Sequence, residues 1–209
     1  MAQQGNTPSF AGEPLHLSVR HYAEQWEGFD REAWSDLSAG NSEDRQLDAV
    51  SRIMGKYRVA RSLKREHDID AGLRRFGPLL EAVSEVREGA TETSTAPQLV
   101  HRLFLAVRER YAVQAVSLCS KVLWFAMRSP VVIYDDNALQ ALRVAPGSYG
   151  TFYSEWQRQY TRIHASIDEA LAVTSFKGLS VETKALAQEE WFKERVFDIA
   201  CWRAGDRLR

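Results

Sequence analysis

The chain has 209 residues, of which 44% are hydrophobic and 11% aromatic, six of them Trp. That is enough to bury a real core, as one domain or one domain with an appendage, and it excludes a disordered chain. The formal net charge of −1 excludes nothing until it is resolved along the sequence.

Residues 1–48 carry nine acidic side chains against three basic ones. Residues 52–75 carry eight bases against three acids, and residues 101–128 five bases against Glu109 alone. The near-neutral total therefore conceals two basic segments. Phosphate contact would require them to converge on one side of the fold. No apolar run reaches the length of a membrane span, and Met1–Pro14 lacks the pattern of a secretory signal. The expectation is a soluble cytoplasmic protein in which Cys119 and Cys201 are buried thiols and not a disulfide. The five histidines, His16, His21, His67, His101 and His164, never pair with carboxylates at metal-ligand spacing, so neither a metal nor a cofactor is expected.

The predicted elements are almost all helices. An acidic, aromatic extension over residues 1–41 precedes a helical domain over residues 42–209. Within the extension, His16–Asp36 spaces Tyr22, Trp26, Phe29 and Trp34 to cover a neighbouring surface. Ser42 opens a helix through about Lys64, with Leu47, Val50, Ile53, Met54 and Tyr57 on one face. Asp68 or Asp70 caps a short helix, broken near Gly77-Pro78 and resumed through Val86. Gly89–Pro97 is a Thr-rich loop, the clearest break in the chain and a candidate flexible segment. Pro97 opens a helix through about Val116, with Leu99, Leu103, Val107 and Tyr111 on one face. Ser120–Arg128 is a short apolar helix opened by Lys121. Val131–Tyr134 reads as an extended connector, because a lone strand-like run has no partner. Asp135 or Asp136 then caps a helix through about Val144, ended by Pro146-Gly147. The three- and four-residue steps from Tyr149 to Leu171 are the strongest helical signal. A last helix spans about Val181–Arg203.

One stretch carries chemistry. Ser120-Lys121-Val122-Leu123-Trp124-Phe125, a Pro turn, then Val132-Ile133-Tyr134-Asp135-Asp136-Asn137 delivers an amine and carboxylates to two successive helices. This stretch resembles the core of the helix-hairpin-helix DNA glycosylases, and within them the divergent group with an 8-oxoguanine-glycosylase fold. The resemblance covers about Pro97–Val144, with further similarity in Arg195–Trp202. It implies an all-α fold with the active site between helical lobes, acting on double-stranded DNA that holds a damaged or modified base. By position, Lys121 becomes the nucleophile that attacks the sugar C1′. Asp135, with Asp136 as the competing carboxylate, becomes the group that supports the cationic sugar. Where the family hairpin carries glycines, this chain has Ala115–Ser120, so Ser120 and free helix N–H groups would meet the phosphate. Related glycosylases include anti-phage enzymes that excise hypermodified cytosines. The acidic extension and the glycine-free hairpin favour a modified base in foreign DNA as substrate.

The chemistry also stands by itself. Expelling a base leaves positive charge on the sugar, which a carboxylate stabilises, and an amine can trap C1′ as a Schiff base. Such an amine needs an apolar setting or neighbouring cations, and Trp124, Phe125 and Met127 lie nearby in sequence. A flipped base stacks on aromatic faces, for which Trp124, Tyr134, Tyr149, Phe152, Tyr153 and Trp156 are candidates, with Asn137 as a polar contact. Arg102, Arg108, Arg110 and Arg128 are candidate phosphate contacts. The bland alternative makes Lys121 a solvent-reaching lysine and Asp135 a plain helix cap.

Two other functions fit the pattern. Arg158 lies six residues before His164, and Arg61 six before His67, within the loose spacing of HEPN-type ribonucleases. A non-catalytic helical DNA-binding or partner protein is the third reading.

Overall fold

The computed structural model describes residues 14–60, 63 and 72–208. All regular structure among them is helical, as the sequence predicts. The chain folds into two compact units. One is built from the residues up to Gln25 together with those from Tyr134 onward, and the other from Trp26–Ile133. The units meet inside the first helical stretch, at Gln25/Trp26, and again at Ile133/Tyr134, while residue 41 lies within the Trp26–Ile133 unit. Residues 61–62 and 64–71, with the predicted cap at Asp68 or Asp70 and the Arg61…His67 pair, lie outside the described residues.

In the Trp26–Ile133 unit, α2 (Arg31–Asp36) follows a π-helical turn at Trp26–Asp30 that continues from α1 (Leu15–Gln25). α3 (Glu43–Lys56) stops eight residues short of the predicted end. Tyr57 leaves helical geometry and Arg58 turns left-handed with φ 53°. After a 3₁₀ turn at Gly72–Phe76 comes α4 (Gly77–Glu88), with Pro78 in its first turn, where no N–H is needed. α5 (Ala96–Tyr111) and α6 (Val116–Met127) complete the unit.

α6 is the axis of this unit. Every residue from Leu118 to Phe125 is buried, because the helix is apolar nearly all round and packs against α2, α3, α4 and α5. Leu47, Val50, Ile53 and Met54 of α3 and Leu99, Leu103 and Val107 of α5 supply fully buried faces, as the periodicity predicts. Tyr111 ties α5 to α4, since its hydroxyl accepts from the Leu79 N–H and donates to the Arg75 carbonyl, both at 2.9 Å.

The acidic and basic segments partly cancel inside the unit. Asp36 accepts from Arg45 at 2.7 Å and pairs with Arg52, which also meets Glu32 at 3.2 Å and Asp48 at 2.9 Å. Burial alone would raise the Asp36 carboxyl, but hydrogen bonds from Arg45 and Arg52 hold it below its ordinary range. The Thr-rich loop is a tied turn within one unit, not a division between units. The Thr91 N–H donates to Ser94 Oγ at 2.9 Å, the Gln98 side chain accepts from the Thr95 N–H at 2.9 Å, and Arg102 donates to the Gly89 carbonyl at 2.9 Å.

The other unit packs α1 with α7 (Asp136–Leu142), α8 (Tyr149–Val173), α9 (Val181–Leu186) and α10 (Glu190–Asp206). α7 ends at Leu142, where Arg143 takes a left-handed cap conformation before Pro146-Gly147 is reached. The 25-residue α8 buries Phe152, Trp156, Ile167 and Leu171. The predicted single C-terminal helix is broken at Ala187–Glu189, without any Gly or Pro. Ala187 and Phe192 are each fully buried there, so core packing breaks the helix where no local signal does. Val131–Tyr134 is extended and buried, with no strand partner among the described residues.

Candidate functional site

Lys121 does not open its helix. It is the sixth residue of α6, and its amine donates to Ser117 Oγ one turn earlier at 3.0 Å. The helix begins at Val116, so most of the stretch matched to the family hairpin is helical, and the link from α5 is only Ala112–Ala115. Ala112 makes that turn in the left-handed region with φ 54°. The amine therefore lies beyond the first turn, outside the reach of the positive end of the helix dipole. What remains is burial: Lys121 is 4% exposed within the most apolar helix of the unit. Lysine is almost never buried to this degree.

Its neighbours on α6 belong to the core. Trp124 is 2% exposed and meets Phe125 edge-on at 4.9 Å, and Phe125 in turn meets Tyr57 at 5.5 Å and Phe29 at 6.3 Å. Trp124 is thus a packing residue in this structure, not an open stacking face. Arg128 closes α6 with φ 59° and lies 3.6 Å over the Trp34 ring and 5.6 Å from Trp26. Arg102 bonds to the C-terminal carbonyls of α4, and Arg110 meets Glu85 at 2.7 Å and the Pro78 carbonyl at 3.1 Å. Three of the four arginines proposed for phosphate are therefore engaged within the protein, leaving Arg108 exposed.

The carboxylates belong to the other unit. Asp135 is the N-cap of α7 and accepts from the Asn137 N–H at 3.0 Å. Asp136 is the exposed first residue of that helix. Of the two candidates, Asp135 is the one whose orientation is fixed. Asn137 is 4% exposed with its side-chain oxygen unpartnered, and Tyr134 is 6% exposed with its hydroxyl accepting from the Gly147 N–H at 2.9 Å. Tyr134, Tyr149 and Phe152 form one buried aromatic group, Tyr134 meeting Phe152 edge-on at 5.2 Å. Lys121, Trp124, Arg102 and Arg128 thus fall in the Trp26–Ile133 unit, and Tyr134, Asp135, Asp136 and Asn137 in its companion.

A polar row on α8 and α10 was not anticipated. Tyr160 donates to Glu190 at 2.6 Å, His164 reaches Glu190 and Asp168 at 3.3 Å each, and Lys193 meets Asp168 at 2.7 Å. Burial, with the charges of Asp198 and Glu190, pushes the Glu194 carboxyl up to about 7. The signal was present as a four-residue step, Tyr160, His164 and Asp168, along the edge of an otherwise apolar stripe. This row also separates the ribonuclease pair. Arg158 is held by Glu155 at 2.6 Å, while His164 is turned towards α10. A six-residue interval on an α-helix places the two about 120° apart.

An open groove of about 780 Å³ runs along Leu142–Ala145 and the first turns of α8, lined by Arg143, Thr151, Ser154, Glu155 and Arg158. Of the residues selected from sequence, Arg158 of the ribonuclease pair lines it. Cys119 and Cys201 are both free and buried, and burial pushes the Cys119 thiol up to about 12 and Cys201 well above its ordinary value. Neither has the thiolate character of a reactive cysteine. Among the described residues no group of His, Cys, Asp or Glu is arranged to hold a metal ion, and no helix is long and apolar enough to cross a membrane. No known protein family, curated protein or solved structure matches the chain.

Proposed function

We propose that the chain is a DNA N-glycosylase that flips a damaged or modified base and breaks its glycosidic bond. The observation that carries this reading is Lys121, an amine buried in an apolar helix and donating to the Ser117 hydroxyl. Lysines in apolar settings are the ones that serve as Schiff-base nucleophiles. In the proposed reaction the neutral amine attacks C1′, the base leaves with the bonding electrons and takes up a proton, and the sugar ring opens to an imine. β-Elimination from that imine would then break the 3′ C–O bond. Asp135, fixed by its cap hydrogen bond, is the carboxylate assigned to the cationic sugar. The substrate class assigned is modified cytosine in foreign DNA, with phage defence as the setting.

The test is borohydride trapping on duplexes holding 8-oxoguanine, uracil or glucosylated hydroxymethylcytosine. The expected result is a covalent adduct on the modified-cytosine duplex, reduced about 10³-fold or more in Lys121→Ala. Asp135→Asn keeps an oxygen to cap α7, so it should retain stability while excision falls. A matching loss of stability in Asp135→Asn would reduce that residue to a helix cap. Excision confined to 8-oxoguanine would remove the defence role.

A second reading has its own support. Arg102, Arg110 and Arg128 are all committed to contacts within the protein, as suits a helical partner or binding protein without chemistry. It predicts no adduct and no abasic product on any of the three duplexes.

A further inference from the structure

The open groove of about 780 Å³ lies wholly within the unit that holds α7 and α8. It shares no residue with the lysine and carboxylates assigned to glycosidic cleavage, so what it binds goes beyond the glycosylase reading. Its wall comes from the end of α7 and the connector that follows, where Leu142, Val144 and Ala145 are aliphatic and no aromatic ring joins them. Its charged groups are two guanidiniums, Arg143 and Arg158, against the single carboxylate of Glu155. The lining therefore carries one positive charge in excess.

These groups are not equally committed. Glu155 accepts from Arg158 at 2.6 and 2.8 Å and from the Gln159 amide nitrogen at 2.7 Å, all within α8. The exposed guanidinium of Arg143 has no partner among the described residues. Gln159 is the fixed point of the groove, since it is only 2% exposed and yet lines it. With its N–H given to Glu155, its amide oxygen has no donor among the described residues. An acceptor on so buried a side chain gains from a donor that an occupant brings.

We infer that this groove binds an aliphatic amino-acid carboxylate with an acylated nitrogen, as at a peptide C-terminus or in a free N-acyl amino acid. The carboxylate pairs with Arg143, whose planar fork matches both oxygens. The neighbouring amide N–H donates to the Gln159 oxygen, and the aliphatic side chain lies against Leu142, Val144 and Ala145. A nucleotide fits less well, because its base finds no aromatic face in this lining.

The experiment is two-dimensional amide NMR of the full chain titrated with N-acetyl-leucine. Resonances of residues 142–145 and 151–159 should shift with a dissociation constant on the order of 1 mM, as a ligand of about twelve non-hydrogen atoms allows. N-acetyl-leucinamide, which lacks the carboxylate, and the N-methylated acid, which lacks the N–H, should each bind about tenfold more weakly. Arg143→Gln makes the same left-handed demand on the backbone, and it should abolish the preference for acid over amide. Acetyl-glycyl-glycyl-leucine separates the two sources. Binding tighter by about fivefold or more assigns a peptide C-terminus, and binding no tighter assigns the free N-acyl amino acid. No shift at about 10 mM ligand, equal binding of acid and amide, equal binding of the N-methylated acid, or an acid preference that survives Arg143→Gln would each overturn the inference. Borohydride trapping on DNA, whichever way it falls, leaves these outcomes unchanged.

Discussion

Asp198→Ala is expected to cost about 3–5 kcal/mol of stability, the range for breaking a buried charged pair by removing one partner. Asp198 is 4% exposed on α10. Its Oδ1 accepts from the Trp156 indole N–H at 2.6 Å, and its Oδ2 lies 3.4 Å from Arg195 Nη1. Arg195 is itself 5% exposed, with its guanidinium 5.7 Å from the Tyr22 ring. The alanine leaves a buried cation without this carboxylate and a buried indole N–H without this acceptor, which is costly in a low-dielectric interior. Urea unfolding followed by tryptophan fluorescence reads the loss directly. Asp198→Asn separates the two parts, since the amide oxygen can still accept from Trp156 while the charge is gone. A smaller cost for the asparagine would assign the difference to Arg195. Both variants should also lower the Glu194 carboxyl, because Asp198 is one of the charges that raise it. A cost below about 1 kcal/mol for the alanine would mean that Arg195 and Trp156 find other partners at little expense.

Gly205→Ala is expected to reverse the usual sign of a glycine substitution in a helix. At an open helical site, replacing glycine by alanine gains about 0.5–1 kcal/mol. Gly205 lies within α10, but a Cβ built there would stand 2.5 Å from the carbonyl carbon of Asn137 and 2.8 Å from its Cα, with the carbonyl oxygen closer still. The obstacle is backbone at the first turn of α7, which cannot rotate away as a side chain can. α7 and α10 would have to separate along the tightest helix pair of their unit, at a cost of about 3 kcal/mol or more. Asp135 caps that same turn, so the shift would also disturb the carboxylate assigned to the sugar. Gly55, in the last turn of α3, has nothing within 4 Å of such a Cβ. Gly55→Ala should therefore stabilise by about 0.5–1 kcal/mol, and opposite signs for the two in parallel urea titrations are the test. Two shifts of the same sign would show that α7 and α10 do not approach this closely.

Several features were legible from the sequence because they are local. The 25 residues of α8 follow from an unbroken three- and four-residue apolar rhythm, and α5 and α3 from the same rule over shorter spans. A cap at Asp135 or Asp136 was legible because a short acidic side chain before an apolar helix has one dominant use, and the structure puts it at Asp135. So was the extended run before it, since β-branched residues with no partner strand cannot build a sheet.

The sequence by itself determined an all-helical chain, the faces its longer helices bury, and a lysine and a carboxylate placed on successive helices. Only the tertiary structure decided what those residues face. It moved Lys121 from a helix start to the sixth position of α6, because Ala115 and Leu118 are drawn into the core and the helix extends back to Val116. It assigned Arg102 to the end of α4 and Arg128 to Trp34, contacts that span 13 and 94 residues and leave no periodic trace. It broke the last helix at a buried alanine with no breaker in sight, and it aligned His164 with Glu190 across 26 residues. The physical reason is the same each time. Helix formation is set by neighbours three and four residues away, whereas a charge or a ring takes its partner from whichever helix packing brings against it.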